Sequence, residues 1–275
     1  PGTGGIDPFA LADGSPGALS ARIAMLTTLF DLLAGGLSPI RRAGVEEAVS
    51  FAYARAGFAD GSATQGLTAP RITDIQSRLR LARGMEPLTI RLERFVSGSG
   101  RWLFKAGGAE ATGASTAYVL AGLPEEERAG AMFLVLDRIW SSLAASSVPT
   151  LVVVDEAWWL MHHADTARFL VRLVKTARKR LAGLTLITQD VGDVLNSPDG
   201  DALIANSALQ ILMRQAPQAM PRLTDLFRLT RAEQSWLLNA QRGEGLLVAQ
   251  GKRVPFKSIA SDEETRLIAG KRAAR

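Results

Sequence analysis

The chain has 275 residues, 47% of them hydrophobic, so it is long enough to bury one large core or a core with an inserted subdomain. It contains no cysteine, which excludes disulfide bonds and cysteine metal sites, and two histidines leave almost no material for a serine or cysteine hydrolase. The net charge of +5 permits contact with nucleic acid or an anionic membrane surface. The longest apolar stretch, residues 23–37, is interrupted by Asp31 and by Gly35-Gly36, which is typical of neither a membrane span nor a signal peptide.

The first third of the chain has the apolar spacing of helices. Periodic apolar residues predict helices around 23–33, 45–56 and 72–82, and Pro87 in a first turn predicts another over 85–97. Residues 98–113 are rich in glycine and predict a loop region. We expect a strand at 116–122 and a helix from Pro124 to about Ala145.

The most informative segment follows Pro149. The apolar run 151–154 is short, β-branched and followed by Asp155 and Glu156, which predicts a strand buried on both faces that ends at a functional site. This is the form of a Walker B motif, in which the first carboxylate holds magnesium, usually through water, and the second polarises the water that attacks the γ-phosphate. The alternative is a core strand whose Asp155 caps the next helix.

A second strand, residues 184–188, ends in Gln189, and helical spacing over 164–181 predicts a crossover helix between the two strands. A strand, a helix and a parallel strand bring both polar strand ends to one carboxyl edge, where ligands bind. Gln189 is then placed to sense the γ-phosphate or to hold the attacking water. The alternative for Gln189 is an ordinary turn residue.

Taken in order, these segments resemble the type IV secretion and conjugation motor ATPases of the CagE/TrbE/VirB group, within the HerA/FtsK-like P-loop motors. The segments that carry the resemblance are 153–158, 177–180, 184–190, 204–207, 211–215 and 243–247. The match runs from Ile6 to about Pro255. It implies an α/β fold with a RecA-like P-loop NTPase core, a mostly parallel sheet and an α-helical insertion subdomain.

The chain departs from this family at the phosphate-binding loop. No G-x-x-x-x-G-K-[ST] motif occurs in it, and the glycine cluster 98–101 lacks both the spacing and the lysine. The segment Asp7-Pro8-Phe9 resembles the Asn-Pro-Phe motif that lies downstream of the P-loop in the family, with Asp7 in place of asparagine. We therefore expect a fragment that begins after the P-loop, carries half of a nucleotide site and is inactive alone.

The resemblance also implies a domain organisation, cofactors and partners. The core comprises residues 1–15 and 114–260, the insertion residues 16–113, and a polar tail residues 261–275. ATP and Mg²⁺ are the implied cofactors, with Asp155, Glu156 and Gln189 at the nucleotide and Asp155 at the metal. The implied assembly is a cytoplasmic homohexamer, peripheral at the inner face of the bacterial membrane, beside inner-membrane channel components of a secretion system.

Basic residues of the crossover helix are spaced to form one stripe with no acidic residue between them: Arg168, Arg172, Lys175 and Lys179. The stripe faces either phosphates, a neighbour's acidic surface, or solvent. Arg178, expected at the helix end beside the carboxyl edge of the sheet, is our candidate for an arginine that reaches a nucleotide across a subunit boundary. Arg214, after the predicted strand 209–213, is the rival candidate, and a structural ion pair is the alternative for both.

The remaining polar and aromatic pairs do not indicate a metal site or a catalytic group. His162 and His163 are adjacent and cannot chelate one metal from a helix, and Trp158 and Trp159 are expected to pack in the core.

The predicted function is an ATP-hydrolysing motor subunit for type IV secretion or conjugation. The alternatives are a DNA translocase or helicase of HerA/FtsK or coupling-protein type, and a non-hydrolysing scaffold or pseudo-ATPase.

Overall fold

A computed structural model describes residues 7–11, 14–104, 115–120, 122–145, 148–162, 164–189 and 191–269. The chain divides into two compact units, Pro1–Ile187 and Thr188–Arg275. The predicted insertion, residues 16–113, falls entirely within the first unit, and its bounds stay a prediction. No helix in the described ranges is both long and apolar enough to cross a membrane.

The first unit is rich in helices and contains one parallel pair of strands. Its α-helices are α1 (Ala18–Leu33), α2 (Pro39–Arg55), α3 (Ile72–Arg80), α4 (Glu86–Val96), α5 (Glu125–Ala145), α6 (Trp158–Met161) and α7 (Ala164–Ala177). Short 3-10 helices span Ser99–Phe104 and Arg178–Arg180, and the strands are β1 (Thr150–Val154) and β2 (Ala182–Leu186). The predicted helices are confirmed with boundaries shifted by a few residues.

The N-terminal segment is anchored in the helical part of the first unit. The side chain of Phe9 is buried and stacks on Phe104, with 5.7 Å between ring centroids. The hydroxyl of buried Tyr53 donates to the carbonyl of Phe9 at 2.6 Å, and burial raises the pKa of Tyr53. Arg22 donates to the carbonyl of Pro8 and pairs with Asp137 of α5 at 2.9 Å. The segment around Asp7 that suggested the family motif thus joins α1, α2 and α5.

The strands β1 and β2 pair in parallel, from Thr150 opposite Ala182 to Val154 opposite Leu186, with α6 and α7 in the crossover. The mixed α/β class with a parallel sheet is therefore confirmed. The strand predicted at 116–122 is wrong over the described residues, because 115–120 have no ladder partner and the side chain of Val119 is 79% exposed. Ala121 lies outside the described residues.

The second unit contains an antiparallel sheet, of which the sequence predicted one strand, 209–213, but not the antiparallel pairing. Its strands β3 (Leu209–Leu212), β4 (Glu244–Ala249) and β5 (Lys252–Lys257) are ordered β3-β4-β5. Its helices are α8 (Val191–Asn196), α9 (Gly200–Asn206), α10 (Met220–Phe227), α11 (Arg231–Asn239) and α12 (Asp262–Ala269), with a 3-10 helix at Pro217–Ala219. Its core contains Leu212, Met220, Leu223, Leu229, Leu237 and Leu246. The predicted polar tail contains α12, and residues 270–275 lie outside the described residues.

Candidate functional site

The acidic pair lies where the sequence placed it, directly after β1. Val152 and Val154 are buried, but Leu151 and Val153 are 69% and 55% exposed. The prediction of a strand buried on both faces is therefore wrong, because the described residues cover only one face of the two-stranded sheet. Asp155 is exposed and Glu156 is half-buried at the carboxyl end of the strand.

The backbone at this edge contains an extra residue. The amide of Ile187 donates to the carbonyl of Val154, and the amide of Ala157 donates to the carbonyl of Ile187, both at 2.9 Å. In a regular parallel ladder the amide of Glu156 would make the second bond. Asp155 and Glu156 thus share the place of one residue, and Glu156 has φ of 52°. This is the geometry of a bulge, which turns a side chain away from the regular strand direction.

Hydrogen bonds fix both carboxylates of the acidic pair. The amide of Glu156 donates to Oδ1 of Asp155 at 2.9 Å, and Nε1 of Trp158 donates to Oε2 of Glu156 at 2.6 Å. Helix α6 has Ala157 at its N-cap, and in the described part of the chain no side chain caps it. The alternative in which Asp155 merely caps the next helix is therefore wrong, and the indole fixes the direction of the second carboxylate.

This role of Trp158 was not predicted from the sequence. The rings of Trp158 and Trp159 lie 4.7 Å apart, and the ring of His162 lies 5.2 Å from that of Trp158. Both tryptophans are half-buried, so core packing does not describe them fully. An indole two residues after the glutamate, with its N–H available as a donor, was the signal in the sequence. His163 lies outside the described residues.

Arg178 lies at the opposite edge of the parallel pair from the acidic residues. It begins the 3-10 helix that precedes β2, and the carbonyl of Leu181 accepts from the amide of Thr150, the first residue of β1. The expectation that Arg178 lies beside the carboxyl edge is therefore wrong, because a crossover helix runs back antiparallel to the strands and ends at their amino edge. Five residues of strand separate Arg178 from Asp155, about 16 Å at 3.3 Å per residue.

Gln189 and Arg214 belong to the second unit. Gln189 is exposed and follows β2 in the chain, and Arg214 is exposed two residues after β3. The basic side chains of α7 and the turn after it, Arg168, Arg172, Lys175 and Lys179, are all exposed. The roles of Gln189, Arg214 and this basic stripe stay predictions.

The acidic pair fits the demands of a magnesium nucleotide. Among the residues that the structure describes, no three His, Asp or Glu side chains come together as a metal cluster. Magnesium does not require such a cluster, because one or two carboxylates, waters and phosphate oxygens commonly complete its octahedron. The exposed carboxylate of Asp155 is available for that role, with Glu156 oriented beside it.

The parallel βαβ unit places the acidic pair at the carboxyl edge of its strands, which is where open α/β sheets bind ligands. Residues 134–247 match the family model of the TraG P-loop domain. The structure is similar to that of VirB4 of Thermoanaerobacter pseudethanolicus, with a TM-score of 0.82 and 27% sequence identity over 96% of this chain and 76% of that chain. No curated protein matches the sequence significantly. The two matches confirm the resemblance to the type IV secretion and conjugation motor ATPases.

Proposed function

We propose that these residues form part of a motor subunit that hydrolyses ATP to energise type IV secretion or conjugative transfer. The observation that carries the proposal is the acidic pair after β1, in which Trp158 orients Glu156. The similarity to VirB4 supports the secretion or conjugation context.

Each residue of the site has a separate role in this proposal. Asp155 binds Mg²⁺, through water, and the metal when bound neutralises charge on the β- and γ-phosphates. Glu156 orients and deprotonates the attacking water. Gln189 senses the γ-phosphate. Because the 275 residues contain no Gly-rich loop ending in Lys-Ser or Lys-Thr, we propose that a segment outside them holds the phosphates.

The assembly is proposed from the same resemblance. Six copies form a ring, and an arginine of one subunit reaches the γ-phosphate bound by its neighbour. The ring works in the cytoplasm at the inner face of the membrane, against inner-membrane channel components of the secretion system.

The test uses the motor with its phosphate-binding loop in place. Glu156→Gln keeps the size of the side chain and an oxygen that can accept from Trp158, but it removes the base. We expect ATP affinity to be retained and kcat to fall about 100-fold or more. Unchanged turnover in Glu156→Gln would show that Glu156 is structural, and absence of turnover in the unsubstituted motor would favour the scaffold alternative.

A second measurement tests whether these residues carry only half of the nucleotide site. The 275-residue chain alone should bind Mg-ATP more weakly than about 1 mM, because backbone amides and a lysine of the P-loop supply most of the affinity. Isothermal calorimetry measures this directly. Binding in the low micromolar range would contradict the proposal that the phosphates are held by another segment.

The exposed basic stripe favours one further candidate function, a DNA translocase of HerA/FtsK or coupling-protein type. Four cations on one helical surface can neutralise phosphates and release their counterions. If the stripe binds duplex DNA, replacing Lys175 and Lys179 by glutamine should weaken binding and lower the slope of log K against log salt by about 2. An unchanged slope would leave the secretion motor as the better description.

A further inference from the structure

We propose that a cavity in the first unit is a binding site for a phosphate-bearing small molecule, separate from the acidic pair. The cavity has a volume of about 550 Å³ and lies between the end of α1, the start of α2 and the α6–α7 junction. Its lining includes Asp31, Gly35, Gly36, Arg42, His162 and Arg168. This volume is within the range of about 300–1,000 Å³ that is usual for small-molecule sites.

The charges of the lining favour an anion. Arg42 and Arg168 are permanently cationic, and Asp31 is the one acidic side chain among the described lining residues. The two arginines and one aspartate among the described lining residues therefore give a net charge of +1. A phosphate dianion matches this charge better than a single carboxylate does. A guanidinium group can also donate two parallel hydrogen bonds to two oxygens of one phosphate.

Hydrogen bonds hold the side chains of Asp31 and Arg42 in place in the lining of the cavity. Oδ2 of Asp31 accepts from Arg42 at 3.0 Å, and the hydroxyl of Thr28 accepts from the same guanidinium at 3.3 Å. Oδ1 of Asp31 also accepts from the amide of Leu37 at 2.5 Å, which closes the turn between α1 and α2. These bonds hold the guanidinium of Arg42 against the cavity.

Two glycines at the turn between α1 and α2 also line the cavity. Gly35 and Gly36 have φ of 70° and 103°, values that other residues adopt only with strain. A β-carbon at Gly36 would meet no atom within 4 Å, whereas one at Gly35 would lie 3.4 Å from Nη1 of Arg91, so a ligand can approach the backbone at Gly36. Arg168, from the second turn of α7, also lines the cavity.

His162 connects the cavity to the tryptophan pair. Its ring lies 5.2 Å from Trp158 and 6.3 Å from Trp159, so a molecule that contacts His162 changes the surroundings of these two fluorophores. Tryptophan fluorescence therefore reports occupancy independently of any hydrolysis. Binding at the cavity does not require the proposed ATPase activity. Binding measurements test the cavity site, and kcat measurements test the ATPase activity.

The experiment titrates the 275-residue chain with inorganic phosphate and with AMP, without magnesium and at constant ionic strength. Calorimetry and tryptophan fluorescence should both show saturation with at least one probe. Saturation with phosphate alone identifies a free phosphate site, and saturation only with AMP identifies a nucleotide phosphate. Acetate at the same ionic strength is the carboxylate control, and equal saturation with acetate would overturn the phosphate assignment.

Matched arginine variants locate the site. Arg168→Gln should weaken binding about tenfold or more, because it removes a charged hydrogen-bond donor to the phosphate. Arg172→Gln, one turn further along the same exposed stripe but outside the cavity lining, should bind within about twofold of wild type. His162→Gln provides a second variant if Arg168→Gln fails to fold by circular dichroism. Equal losses in the Arg168 and Arg172 variants, or no saturable binding by wild type, would refute the site.

Discussion

Glu156 combines an unfavourable backbone conformation with a fixed side chain. A left-handed conformation costs a non-glycine residue about 1–2 kcal/mol, and the neighbouring ladder bonds of Ile187 hold it in place. The bulge turns Glu156 out of the regular strand direction, and Trp158 then fixes its carboxylate. A catalytic base that must meet a water at one position benefits from both constraints.

The hydrogen bond from Trp158 can be removed with little change in packing. In the motor with its phosphate-binding loop, Trp158→Phe should lower kcat about tenfold, because Glu156 loses its charged-group hydrogen bond. The phenyl ring keeps most of the contact with Trp159, so the melting temperature should change by no more than about 4 °C. Trp159→Phe removes an indole from the same stack and is the matched control. Equal activity of wild type and Trp158→Phe would show that the bond does not orient the base.

At the scale of single residues, the sequence predicted the identity of the acidic pair but not its geometry. A β-branched run followed by two carboxylates is a local pattern, so it could be read directly. The conformation of Glu156 depends on the carbonyl of Ile187, which is distant in sequence. The contact between His162 and Trp158, in contrast, is local, because the two residues are four apart along α6 and its C-cap.

Among the secondary structure elements, α11 shows how one carboxylate joins a helix to a sheet. Thr230 and Glu233 cap the helix reciprocally, and Glu233 also accepts from Nε of Arg253 in β5 at 2.7 Å. Burial raises the pKa of Glu233, but the hydrogen bonds from Thr230 and Arg253 outweigh it, so the pKa lies below its usual value. The charged form of Glu233 therefore stabilises the folded second unit.

The lowered pKa of Glu233 predicts how the free energy of unfolding changes with pH. Because the folded pKa of Glu233 is lowered, its contribution is present above the unfolded pKa of about 4.3 and is lost as pH falls through the folded value. Between pH 6 and pH 3, Glu233→Gln should lose less unfolding free energy than wild type, measured by urea denaturation. Glu263→Gln, exposed on α12, removes the same charge and is the control. Parallel pH curves for wild type and Glu233→Gln would contradict the expectation.

The helices were predictable because their apolar periodicity and capping residues are local. Ser38 and Pro39 begin α2, and the apolar residues predicted for its inner face are buried, such as Val45 and Val49. The strands were less predictable because their partners are distant in sequence. From the apolar run of β1 alone, the exposure of one strand face could not be predicted. The sequence of residues 116–120 likewise does not indicate whether a partner strand lies beside it.

At the scale of the whole motor, the position of Arg178 decides which nucleotide it can serve. It lies about 16 Å along the strand direction from Asp155 of its own subunit, at the amino edge of β1 and β2. A guanidinium there cannot reach a γ-phosphate held at the carboxyl edge of the same sheet. We therefore propose that Arg178, if it acts on a nucleotide, acts on that of a neighbouring subunit, with Arg214 as the rival.

Subunit mixing tests this proposal in the motor with its phosphate-binding loop. Arg178→Ala should abolish hydrolysis while leaving nucleotide affinity of the monomer and the melting temperature unchanged. Lys179→Ala, the next exposed cation of the same 3-10 helix, should keep its activity and is the matched control. In an equal mixture of Arg178→Ala and Glu156→Gln subunits, one interface in four pairs an intact Glu156 with an intact Arg178, so activity should recover to about a quarter of wild type if sites act independently.

A structural role for Arg178 predicts a different pattern. An arginine that only stabilises its own subunit would lower the melting temperature on replacement by alanine, and mixing with Glu156→Gln subunits would restore nothing, since every subunit would still carry one defect. If Arg214→Ala instead lost activity at unchanged stability and recovered on mixing, the trans-acting arginine would come from the loop after β3. Recovery with Arg178→Ala and none with Arg214→Ala would assign the amino edge of the parallel strands to the subunit interface, facing the acidic pair of the next copy.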